Sequence, residues 1–128
     1  MKRRGWLYWV LLAIGAITVV SGLVQAAAPG FVLGLIGGEA SAANRHSFAI
    51  VGMFMVLFGG LLSHALLSPA DHPVAVLWAG LQKLGAAGAV GLGVSKGLFA
   101  SFALLVAGFD LLSGMLALAY WLSIRASR

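Results

Sequence analysis

Apolar residues fall into four long runs, at about residues 5–24, 45–67, 74–94 and 98–124, and the short stretches between them collect Gly, Pro and polar side chains. Each run is near the roughly 20 residues that a helix needs to cross a bilayer. The pattern predicts an all-α membrane protein in which residues 1–128 form a single four-transmembrane-helix bundle.

Boundary residues support these limits. Lys2, Arg3 and Arg4 precede Trp6, Tyr8 and Trp9, so the first run reads as a basic anchor, an interfacial aromatic belt and a span to about Val24. Val24-Gln25-Ala26 and Ala26-Ala27-Ala28 also have the form of signal-peptide cleavage sites. The three apolar runs that follow favour a retained first helix. From Gln25 to Asn44 the chain changes character: Pro29, FVLGLI and Gly37-Gly38 describe a segment too short to span. It reads as a short interfacial or re-entrant turn over residues 30–36, or as a surface loop at headgroup level, with Pro29 starting it and the glycine pair ending it. Ser41 or Asn44 then offers an N-cap for the second span. Ser68-Pro69 and His72-Pro73 bracket the next connection. Ser95-Lys96-Gly97 predicts a tight turn before the fourth run.

With 62% hydrophobic and 9% charged residues and a mean hydropathy of +1.06, the chain does not fit a soluble domain. A net charge of +5 would suggest nucleic acid as a partner for a soluble protein, but here the basic residues flank apolar runs, where they set topology and meet lipid headgroups. No nucleic-acid partner is expected. Lys2, Arg3, Arg4, Arg125 and Arg128 fall on one side, against Arg45 and Lys96 on the other, so both termini are expected in the cytoplasm of a multi-pass protein of the cell inner membrane. The absence of cysteine excludes disulfides and thiolate metal sites. No GxSxG, HExxH, P-loop or dinucleotide motif occurs.

Two charged residues stand inside apolar runs: Lys83 in the third and Asp110 in the fourth. A charge at the bilayer centre costs at least about 2.5–3.5 kcal/mol, so such side chains face the bundle interior and find partners. Lys83 lies 11 residues before Val94 and Asp110 lies 13 after Gly97, about 16 and 20 Å of helix, which sets them at matching depth on a short hairpin. Ala103, Ala107, Gly114 and Ala117 share the side of Asp110, while Leu105, Leu112 and Leu116 point away. Ala79, Gly80, Ala86 and Ala87 surround Lys83, and Gln82 adds a neighbouring polar group. A Lys83–Asp110 contact follows, as an ion pair or as a neutral hydrogen-bonded pair. It either fixes only the register of the hairpin or serves with Gln82 as a ligand, proton or quinone site.

Arg45 and His46, with Glu39 and Lys96 on the same side, read either as an outer polar mouth for an anionic or quinone-like headgroup or as ordinary interfacial residues. His64, His72 and Asp71 lie near the opposite ends of the second and third spans, without a spacing that specifies a metal. Gly85, Ala89 and Gly93 recur every four residues, a face suited to close helix–helix contact with partner membrane subunits or a second copy.

The Pro29–Gly37 turn, the Asn44-Arg45-His46-Ser47 start of a Gly-containing second span (IVGMFMVLFGGLL), the Gly-rich third span and the acidic fourth together resemble the small four-helix bacterial membrane proteins of the DoxX-like type. That resemblance implies a four-helix bundle, sometimes a small subunit of a quinone-linked oxidoreductase, and assigns no catalytic residue here. The sequence expectation is a non-enzymatic accessory subunit or assembly factor of a membrane complex. The alternative is a small-molecule, quinone or proton binding or transport module built on Lys83 and Asp110, with quinone allowed but no cofactor required by any motif.

Overall fold

A computed structural model describes residues 4–126, all of whose regular structure is helical: α1 (Trp6–Ala27), α2 (Pro29–Ile36), α3 (Ala42–Leu67), α4 (Pro73–Ser95) and α5 (Ala103–Ala126). Lys2, Arg3 and Arg128 of the charge count lie outside the described residues. The four long helices are each apolar enough to cross a bilayer, so the protein is a multi-pass membrane protein. Large apolar side chains stand on the outside, as at Trp6, Val74 and Leu105, where lipid replaces the missing neighbour.

The helices associate as two tight pairs, α1 with α3 and α4 with α5. Glycine makes both possible. A Cβ on Gly22 would lie 2.6 Å from the Gly52 carbonyl oxygen, and one on Gly52 2.6 Å from the Ala26 nitrogen, so the two backbones touch. Gly80 and Gly114 bring α4 and α5 together in the same way. The contact face of α1 runs Tyr8, Leu11, Gly15, Thr18, Gly22, Gln25, the alternating three- and four-residue spacing of a helix seam.

Between the pairs, contact falls in three zones. At the end carrying the termini, Tyr8, Leu11, Leu62, Leu66, Val76, Ala79, Ala117, Tyr120 and Ile124 form a buried apolar cluster. At the opposite end, α2 and α4 each finish in the same backbone motif. Gly37 (φ 72°) and Gly97 (φ 74°) take the left-handed conformation, and the next residue donates back into the helix, Gly38 to Leu33 and Leu98 to Gly93. The chain after Gly97 then crosses to α2, where Ala100 N donates to the Ile36 carbonyl at 2.7 Å. Phe99 covers Gly93 and Gly38 and meets Phe48 edge-on. The middle zone is polar and forms the site described below.

Several sequence expectations change. Ser41 is the α3 N-cap, accepting from Asn44 N, so α3 starts three residues before Arg45. The fourth long helix starts at Ala103 rather than near Leu98, because residues 96–102 form a packed connection instead of a tight turn. Tyr8 and Tyr120 face into the bundle, buried at 1% and 2% exposure, with Tyr8 Oη donating to the Leu66 carbonyl at 2.8 Å. Leu116 packs against the apolar cluster instead of pointing away. The face of Gly85, Ala89 and Gly93 splits: eight residues leave a rotation of about 80°, which turns Gly93 under Phe99 while Gly85 and Ala89 stay outside.

Candidate functional site

Lys83 Nζ lies 3.2 Å from Asp110 Oδ1 and 2.6 Å from Thr18 Oγ1, with Lys83 6% and Asp110 9% exposed. Three helices therefore meet at one ammonium: α4 carries it, α5 supplies the carboxylate and α1 the hydroxyl. Thr18 has a single hydroxyl proton, which goes to the Ile14 carbonyl at 2.8 Å. Its oxygen is thus left to accept from Lys83. The Phe109 ring completes the surroundings, its centroid 5.2 Å from Nζ, at a distance where the π face attracts a cation.

The contact arises by a route different from the depth argument. Asp110 lies seven residues into α5 and Lys83 twelve before the end of α4, about 10 and 18 Å from the respective helix ends. The connection at 96–102 takes up the difference by packing back along Gly93.

Thr18 was missed by sequence reasoning, although a signal existed. It sits on the same 3–4 seam of α1 as Tyr8 and Gln25, the other polar side chains of that face. Gln25 Nε2 donates to the Phe48 carbonyl at 3.1 Å, securing α1 to α3. Ser113, one turn beyond Asp110, is buried at 2%. Gln82 is partly buried beside Lys83, and its Oε1 is enclosed without a hydrogen-bond partner. Among the described residues, the Gln82 side chain makes no hydrogen bond to the Lys83–Asp110 pair.

The other sequence-predicted residues lie apart from this centre. Arg45 and His46 are exposed on the first turns of α3, and the Arg45 stem packs toward Gly30 of α2. Glu39 joins that end through its backbone, its carbonyl accepting from Asn44 Nδ2 at 2.8 Å. At the opposite end, His64, Asp71 and His72 line an open furrow between α3 and α4. Among the described residues no three His, Cys, Asp or Glu side chains are grouped to hold a metal ion.

Chemically, the central cluster exchanges donors and acceptors among its own members. The Lys83 ammonium donates to two acceptors, the Thr18 proton is spent on Ile14, and the carboxylate faces the ammonium. Such an arrangement binds helices to one another. Set against family models, curated proteins and solved structures, the chain matches none.

Proposed function

We propose that the protein is a non-enzymatic accessory subunit or assembly factor of a larger membrane complex, which it contacts through the outward face of α4. The observation carrying this reading is how the chain distributes its glycines. Gly15, Gly22, Gly52, Gly59, Gly80 and Gly114 each sit where an added Cβ would press on a neighbouring helix. Gly85 and Gly88, with Ala89 on the same side, have open space outside them, on the face of α4 turned away from Lys83. Within the bundle such residues let helices approach closely, and the outer set offers a second helix the same approach. The self-contained polar centre supports this reading too, since it leaves recognition to the surface.

Arg4 and Arg125 at one end outnumber no opposing set by themselves; with Lys2, Arg3 and Arg128 they favour a cytoplasmic location for both termini. The DoxX-like resemblance and the bacterial inner membrane belong to the same proposal. Purification from native membranes in mild detergent, followed by mass determination, tests it. The expected result is a complex heavier than the monomer, dispersed by Gly88→Leu with the isolated chain still helical. A lone chain whose mass is indifferent to Gly88→Leu overturns it.

A second reading is favoured by Lys83 and Asp110 themselves. Two opposite charges buried among three apolar helices suit a small-molecule, quinone or proton module if the cluster opens to admit a guest. An absorption spectrum and lipid-extract analysis of the purified protein separate the two, because a retained quinone lost in Lys83→Met supports only this second reading.

A further inference from the structure

The end that carries the termini is rich in cations and poor in carboxylates. Of the eight Lys and Arg residues in the chain, Lys2, Arg3, Arg4, Arg125 and Arg128 flank that end. Of the three acidic residues only Asp71 does, since Glu39 lies at the opposite end and Asp110 is bonded to Lys83. Two of the guanidiniums are held in place by aromatic rings. Arg4, just ahead of α1, lies over Tyr8 with its Cζ 5.7 Å from the ring centroid, and Arg125, in the last turn of α5, lies over Trp121 at 5.2 Å. The rings in turn belong to the junction of α1 and α5. Tyr8 meets Tyr120 at 6.5 Å between centroids, and Trp121 packs against the same apolar cluster. Both guanidiniums are exposed, and neither forms an ion pair among the described residues. A ring engages the flat face of a guanidinium and leaves its N–H edges to meet oxygens.

We propose that Arg4 and Arg125 form a site for an anionic phospholipid, seated where α1 meets α5, whose phosphate diester accepts from both guanidiniums. Depth, geometry and charge together choose this occupant. Each guanidinium stands one turn beyond a ring at the end of an apolar span, the level at which a lipid headgroup begins. The planar fork of N–H groups matches a phosphate with two parallel hydrogen bonds. The surplus of cations repels the ammonium of a zwitterionic headgroup and attracts one that carries only negative charge. The acyl chains continue along the apolar outer sides of the two helices, so the bound lipid ties the first span to the last. Neither arginine belongs to the outward face of α4, and the lipid site is independent of the docking proposed there.

The test is native mass spectrometry of the detergent-solubilised full chain, incubated in turn with phosphatidylglycerol and phosphatidylcholine of identical acyl chains. Both carry a phosphate, and only the first is anionic. Phosphatidylglycerol is expected to be retained about fivefold or more over phosphatidylcholine, the order of one basic residue at a membrane surface. The double variant Arg4→Gln/Arg125→Gln should abolish that preference with Lys2, Arg3 and Arg128 still in place, and its circular dichroism should match wild type. Arg45→Gln/Lys96→Gln removes the same charge from the opposite end and should leave the preference intact, which separates a site from general attraction to a basic protein. A hexaglutamate peptide, offered under the same conditions, should not be retained. Equal retention of the two lipids, a preference that survives Arg4→Gln/Arg125→Gln, or an equal loss in the two double variants each overturns the proposal. Retention of the peptide in place of the lipid also overturns it, and gives the surface to an acidic protein segment instead.

Discussion

Lys83 binds in two directions, to Asp110 within its own helix pair and to Thr18 in the other. Removing one member strands a buried polar partner, so Lys83→Met and Asp110→Asn should each cost about 3–5 kcal/mol, and the double variant less than their sum. Unfolding titrations in mixed micelles measure the cycle, and strictly additive losses would contradict the coupling. Thr18→Val has a different expected signature. It preserves shape and leaves the ion pair, so a loss of only about 1 kcal/mol is expected, typical of one interhelical hydrogen bond in a membrane. The sequence made the lysine and aspartate conspicuous because charge is rare in an apolar run. Threonine is not rare there, and its role became visible only when the 3–4 seam of α1 was set against α4.

At the level of helices, the pairs depend on contacts between backbones. Gly52→Ala should separate α1 from α3, because the new methyl group would press on the Ala26 nitrogen and no side chain can move aside. The expected loss is about 1–3 kcal/mol, as for other overpacked sites. Gly108→Ala, where nothing lies within 4 Å, should be neutral or gain up to about 1 kcal/mol from helix propensity. Thermal unfolding of the two variants side by side distinguishes packing from propensity. The four spans were legible because length and hydropathy alone define a membrane helix. The limits of the fourth were not, since Leu98, Phe99 and Phe102 are as apolar as the helix that follows. What ends the regular structure there is tertiary: Phe99 covering Gly93 and Gly38, and Ala100 bonded to Ile36. Hydropathy likewise set Tyr8 and Tyr120 at the interface, where amphipathic rings commonly lie, but the gap between the helix pairs draws both rings inward.

For the whole molecule, orientation in the membrane is open to direct measurement, because the sequence contains no cysteine. Ser101 is exposed at the end bearing α2, and Ala126 at the end bearing the termini. In intact cells, a membrane-impermeant maleimide should label Ser101→Cys and leave Ala126→Cys untouched until the membrane is permeabilised. The reverse pattern would invert the proposed topology. The Lys83–Thr18 bond also bears on the order in which the molecule is made. A ribosome delivers α1 to the membrane first, and Thr18 arrives there with its own proton already given to Ile14. Lys83 emerges 65 residues later, and its counter-ion follows a further 27 residues behind. During that interval the waiting hydroxyl on α1 is the acceptor already present, so the nascent chain can shelter its lysine before the carboxylate reaches the membrane.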